Sequence, residues 1–199
     1  MTPIASPLFQ TRRDMLARLL AGGVVVGHPA LALGAGGDDA TYDQKTISHY
    51  ITEFFGSTTE DLAKVVERAF QENGRPNGYI KGEEASAAVT VGVRYGNGVL
   101  TLKGGGTRKV YWSGPSIGFD LGANAAKVFI LVYRLARADD IFQRYAGVDG
   151  SLYYVGGAGI NYQRRGSVVL APIRLGVGLR AGASVGYMHY RREKSWLPL

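Results

Sequence analysis

The stretch Ile173–His189, "IRLGVGLRAGASVGYMH", decides the fold. Ile173, Leu175, Val177, Leu179, Ala181, Ala183, Val185, Tyr187 and His189 alternate with Arg174, Gly176, Gly178, Arg180, Gly182, Ser184 and Gly186. A period of two belongs to strands, whose successive side chains point to opposite faces. At roughly 3.3 Å per residue so long a run must bend or turn midway, and Arg180-Ala181-Gly182 is the expected place. Glycine weakens a strand unless something needs the room. Glycines facing away from the large apolar residues therefore point to a tightly coiled sheet or to another element in close approach. Both suit a small, strongly curved barrel.

The same period runs upstream. Val89, Val91, Val93 and Tyr95 alternate with Thr90, Gly92 and Arg94, and Ile117, Phe119 and Leu121 alternate with Gly118 and Asp120. Gly96-Asn97-Gly98 is expected to turn the chain, with Val99 to Lys103 running back. Asp149-Gly150 and "QRRG", Gln163 to Gly166, mark further turns. "KGGGTRKVYW", Lys103 to Trp112, has the glycines of a phosphate loop but not its context. A phosphate loop places its lysine after the glycines and a helix next, whose N-terminus holds the anion. Here the lysine comes first and a strand follows, so Gly104 to Gly106 reads as a turn between strands.

Two helices precede the strands. Ile47, Tyr50, Ile51, Phe54 and Phe55 recur at steps of three and four, and Gly56 ends that helix. The next opens with Ser57 and Glu60 at capping-box spacing, carries Leu62, Val65, Val66, Ala69 and Phe70 on one stripe, and stops at Gly74 and Pro76. "ARADDIFQRYAG", around Ile141, reads as one short helical turn. The expected fold class is mainly β (α+β): a small antiparallel β-barrel with one or two N-terminal α-helices packed against it.

The first residues do not read as fold. A basic opening with Arg12, Arg13 and Arg18, the apolar run Leu19–Val26 and the small-x-small Ala30-Leu31-Ala32 compose an export signal. Thr11-Arg12-Arg13-Asp14-Met15-Leu16 has the form of a twin-arginine motif, against the plainer reading of an ordinary secretory leader. The expected organisation is a signal peptide over 1–32, a linker over 33–41 and one domain over 42–199, in the periplasm. Cleavage after Ala32 would take three arginines and Asp14 from a formal charge of +7, leaving about +5. That balance favours anionic lipid or acidic envelope polysaccharide over nucleic acid. The absence of cysteine excludes disulfides, thiolate chemistry and a lipoprotein anchor.

Catalytic signals are sparse. Beyond the leader only His49 and His189 remain, too far apart in the pattern for a zinc site. Glu83 and Glu84 are strand neighbours and face opposite ways. Ser86, Ser116 and Ser195 lack a nucleophile elbow, and the adjacency of Lys194-Ser195 in sequence is no evidence of their approach in space. No catalytic residue, metal ligand or cofactor site is assigned. The candidate binding residues fall in two groups. Lys103, Arg108 and Lys109 surround one turn, either as a solvated tip or as a contact for an anionic polymer. Arg94, Asp120, Arg174 and Arg180 lie opposite the apolar alternation. On an outer wall they would be solvated; inside a barrel they must be paired, because a buried unpaired charge costs several kcal/mol. Trp112 and the abundant tyrosines are core or cross-strand partners, with a few left to line a pocket for an acyl chain or sugar ring.

"FFGSTTEDLAKVVERAFQENGRPNGYIKGEEASAA", "VRYGNGVLTLKGGGTRKVYWSGPSIGFDLG" and "GVDGSLYYVGGAGINYQRRGSVVLAPIRLGVGLRAGASVGYMHYRREKSW" resemble the EipA family of periplasmic envelope-integrity proteins. The resemblance spans Tyr42 to Trp196. It implies a small antiparallel barrel with an associated helix, a periplasmic location and a part in keeping the envelope intact, without a known catalytic activity or catalytic motif to carry over. "YGNGVLTL" and "PSIGFDLGA" are more weakly similar to SYLF-type lipid-binding domains. The expected function is non-enzymatic support of the envelope by binding a lipid, glycan or envelope protein, without spanning the membrane. The alternatives are an envelope hydrolase or transferase using Asp120 with Arg94 or Arg174, and an integral outer-membrane barrel.

Overall fold

The computed structural model describes residues 40–57, 59–120, 125–176 and 186–195. The expected leader, nearly all of the linker, and Arg180 with the middle of the long alternation lie outside the described residues.

Two helices lead, α1 (Gln44–Phe55) and α2 (Glu60–Asn73). The Asp43 carboxylate caps α1 by accepting from the Thr46 N–H at 2.9 Å, and Gly56 ends it in the left-handed conformation at φ 75°. The start of α2 differs from the sequence expectation. Thr59, not Ser57, is the N-cap, its Oγ1 accepting from the Leu62 N–H at 3.1 Å. A hydroxyl one residue before the first helical turn reaches an orphan N–H that Ser57 is too early to meet. Thr59→Ala should cost about 1 kcal/mol and lower the thermal midpoint by about 3 °C, measured by circular dichroism.

The strands are β1 (Gly78–Leu102), β2 (Thr107–Asp120), β3 (Ala126–Tyr133), β4 (Arg144–Gly147), β5 (Tyr153–Val155), β6 (Ala158–Ile160), β7 (Gln163–Arg165), β8 (Val168–Leu175) and β9 (Tyr187–Arg191). A short 3₁₀ turn, Ala138–Ile141, sits between β3 and β4. The strands run β3-β1-β2-β9-β4-β7-β8, and the β3–β8 pairing closes the ring into an antiparallel barrel. β6 and β7 follow one register along β8, so they act as a single interrupted stave.

β3 shows why two cores form. Val128, Ile130 and Val132 point into the barrel, while Phe129, Leu131 and Tyr133 point out beneath the helices. All six are fully buried, so this strand is apolar on both faces and its sequence shows no alternation. The outer core adds Ile47, Ile51, Leu62, Val65 and Val66 from the helices and Val169, Ala171 and Ile173 from β8. The inner core is filled by Ile80, Leu100, Val110, Leu170, Met188 and Tyr190.

Gly96-Asn97-Gly98 does not turn the chain. β1 continues through it as strand, paired without a break to β2 from Ala88↔Asp120 to Thr101↔Thr107. The glycines are there for close approach. The Trp112 ring lies where a Cβ on Gly96 would stand, and a Cβ on Gly98 would meet the Lys81 carbonyl oxygen at 2.6 Å. β1 thus folds back along itself: Asn77 C=O accepts from Lys103 N–H at 3.0 Å. The real turn is at Gly104–Gly106, where Gly105 and Gly106 take φ of 95° and 97° before β2 begins. "KGGGTRKVYW" is a hairpin bend with no helix after it.

Candidate functional site

The barrel interior and the outer face of the β1–β2–β9 wall carry two different arrangements. Inside, Glu84, Arg94 and Arg174 are 7%, 6% and 8% exposed. The Arg174 guanidinium donates from Nε to Glu84 Oε2 at 2.6 Å and from Nη2 to Oε1 at 2.9 Å, a bidentate pair. Its Nη1 donates to Asn161 Oδ1 at 2.7 Å, and Trp112 Nε1–H donates to Glu84 Oε1 at 2.9 Å. Arg94 Nε lies 3.9 Å from Glu84 Oε2. Beside this network Tyr190 O–H donates to Gln163 Oε1 at 3.0 Å. Burial pushes the Glu84 carboxyl up, but Arg174 and then Arg94 outweigh it and bring it down to about 2. Glu84 is therefore an anion at any physiological pH, fixed as a counter-ion and unsuited to proton transfer.

Outside, the register builds cross-strand rows. Asn97, Tyr111 and Arg191 form one, and Tyr95, Ser113, His189 and Arg144 the next. Over them runs a groove of about 420 Å³, lined by Tyr95, Asn97, Tyr111, Ser113 and the chain from Arg191 through Glu193, Lys194 and Ser195, with Ala85, Gly96 and Trp112 completing it. Arg191 Nη1 donates to Ser113 Oγ at 3.1 Å, which holds the guanidinium over the floor. Lys109 Nζ sits 5.3 Å from the centre of the Tyr111 ring, two residues along the same face. Desolvation, Arg191 and Arg144 hold the His189 imidazole below its ordinary range, which favours its neutral form. Its Nδ1 has no hydrogen-bond partner.

The sequence candidates separate accordingly. Arg94 and Arg174 are interior and paired, which removes the reading of a solvated outer face for them. The side chain of Asp120 and all of Arg180 lie outside the described residues. Trp112 joins the two arrangements, bonded to Glu84 within and bordering the groove. Lys103, Arg108 and Lys109 do not converge. Lys103 lies 5.1 Å over the Tyr42 ring and Arg108 donates to Asp139 at 2.8 Å. Strand alternation sends Arg108 and Lys109 to opposite faces. The sequence does not single out Glu84 as the counter-ion; its one available signal is an acid that shares the even β positions of Arg94 and Arg174. Tyr111 is one of the strand tyrosines open to lining a pocket, but the sequence does not group it with Tyr95, Asn97, Arg191 and Lys194, because the strand order that assembles them leaves no local trace. Among the described residues no group of three acidic, histidine or cysteine side chains could hold a metal.

A family model described as EipA, envelope integrity protein A, matches residues 40–199. Among solved structures, the crystal structure of a beta-barrel-like, uncharacterized protein from Brucella abortus is 43% identical. It superposes with a TM-score of 0.74 over 80% of this chain and 99% of that one. No curated protein matches the chain.

Proposed function

The chain belongs to the envelope integrity protein A family, and from that premise we propose that it is a non-enzymatic periplasmic factor that supports the cell envelope by binding an envelope component in the β1–β2–β9 groove. The groove carries the reading: an open concavity of about 420 Å³, within the usual range for ligand sites, lined by tyrosines, an amide and cations. The interior supports it from the other side. The barrel core is packed with Ile80, Leu100, Val110, Ile130 and Leu170, each fully buried, which moves binding to the outer wall. Catalysis would need titratable groups converging on a cleft. The buried carboxylate Glu84 is instead locked between arginines, with its face to the core.

The wall pattern also speaks against a lipid-embedded barrel, whose outer face must be an apolar band. Here the apolar outer face of β3 and β8 is covered by α1 and α2, and the β2–β9–β4 wall carries Lys109, Arg191 and Arg144. No helix among the described residues is long and apolar enough to cross a membrane.

The test is complementation. In a strain lacking the gene, a variant with Tyr111→Ala, Arg191→Gln and Lys194→Gln should fail to restore survival in detergent while melting near the parent. Full restoration by a folded variant would sink the groove reading. Asp120→Asn addresses the catalytic alternative, and its full complementation is the expected result.

A further inference from the structure

We propose that the groove takes an acidic saccharide, one or two sugar rings bearing a carboxylate. The inference rests on the binding reading above and narrows it to a ligand class.

Three features of the groove point to that class. Tyr95 and Tyr111 stand at diagonal positions of paired strands and are half-buried, so each offers an apolar ring face with a hydroxyl at its tip. That combination packs against the C–H face of a sugar while satisfying its hydroxyls. Asn97 sits directly opposite Tyr111, and its amide supplies both a donor and an acceptor, the pairing that a ring of hydroxyls needs. Arg191 and Lys194 stand on the bank formed by the end of β9 and the segment after it, with Glu193 between them in the lining. Arg191 is held by Ser113, so its planar fork is set before a carboxylate arrives. Lys109 beside Tyr111 and Arg144 beyond His189 extend the positive surface along the same outer rows.

The alternatives within the same chemistry fit less well. An acyl chain needs a deep apolar slot, and the volume behind this floor is already occupied by Trp112, Met188 and Tyr190, each at most 2% exposed. A lipid headgroup shares the negative charge but would leave the tyrosine faces and the amide unused.

The experiment is calorimetric titration of the purified protein with trigalacturonate, with the methyl ester of the same trimer, and with phosphatidylglycerol vesicles. The acid should bind, the uncharged ester should bind about tenfold more weakly, and Arg191→Gln and Lys194→Gln should each weaken the acid several-fold. Raising the salt should weaken it as well, because these cations are solvent-accessible. Equal affinity for acid and ester would overturn the proposal, as would binding to vesicles alone or to none of the probes. In those last two cases a continued failure of the groove variant to complement would leave the binding reading standing, with a lipid or protein ligand. Complementation by that variant would remove the binding reading itself.

Discussion

Glu84→Gln should lower the unfolding free energy by about 3–5 kcal/mol, measured by urea denaturation. The substitution is nearly isosteric, so no cavity explains the loss. It removes the negative charge that Arg174 grips with two hydrogen bonds and that Arg94 approaches at 3.9 Å. Two guanidinium groups under 10% exposed then lose this counter-charge in a medium that solvates ions poorly. Combining Glu84→Leu with Arg174→Met should cost less than the two single changes added, because the second substitution removes one of the two charges that Glu84 had balanced. Strict additivity would show that the two side chains do not support one another and would dismantle the network.

The same pair sets a pH dependence. The folded carboxyl of Glu84 is lowered from 4.5 to about 2. A depressed acid contributes its stability fully above the unfolded value and loses it as pH falls toward the folded value. The parent should therefore lose stability between about pH 4.5 and pH 2. Glu84→Gln, weaker throughout, should show a shallower decline across that window. Identical slopes would mean that Glu84 is not the group being protonated.

Gly96→Val should cost about 3 kcal/mol or prevent folding, because a side chain there would occupy the position of the Trp112 indole. The indole cannot step aside. It is 2% exposed, donates to Glu84 and lies 5.6 Å from the Tyr190 ring. Gly96→Ala should cost less and disturb the near-ultraviolet circular dichroism of the tryptophan. Gly104→Ala is the control: a Cβ there meets nothing within 4 Å and its φ is ordinary, so its effect should stay within about 0.5 kcal/mol. If Gly96→Ala proved as mild as Gly104→Ala, the glycine would not be making room for the indole.

Glycine-rich segments show how far local reading reaches. Gly104–Gly106 and Gly166 have the letters of turns and form turns, each with glycines at positive φ. Gly96-Asn97-Gly98 has the same letters and lies within a strand, because what it accommodates is a neighbouring ring and a neighbouring backbone. Turn chemistry is a property of two or three residues and can be seen in them. Close approach is a property of two segments and cannot. The cap of α2 is a smaller case of the same kind: Ser57 and Thr59 both carry the needed hydroxyl, and only the backbone path decides which one reaches the Leu62 N–H.

From the sequence by itself came the fold class, the two helices with their apolar stripes, the strand periods, and the requirement that interior arginines be paired. These follow from spacing along the chain, where side-chain direction repeats every 3.6 or two residues. Tertiary structure alone decided which face is inside, which carboxylate answers the arginines, and which tyrosines and cations share a groove. Those facts depend on strand register around a closed ring. Glu84 meets Arg174 across 90 residues of sequence, and Ser113 meets Arg191 across 78. A shift of one residue in any pairing would turn each of these side chains to the opposite wall.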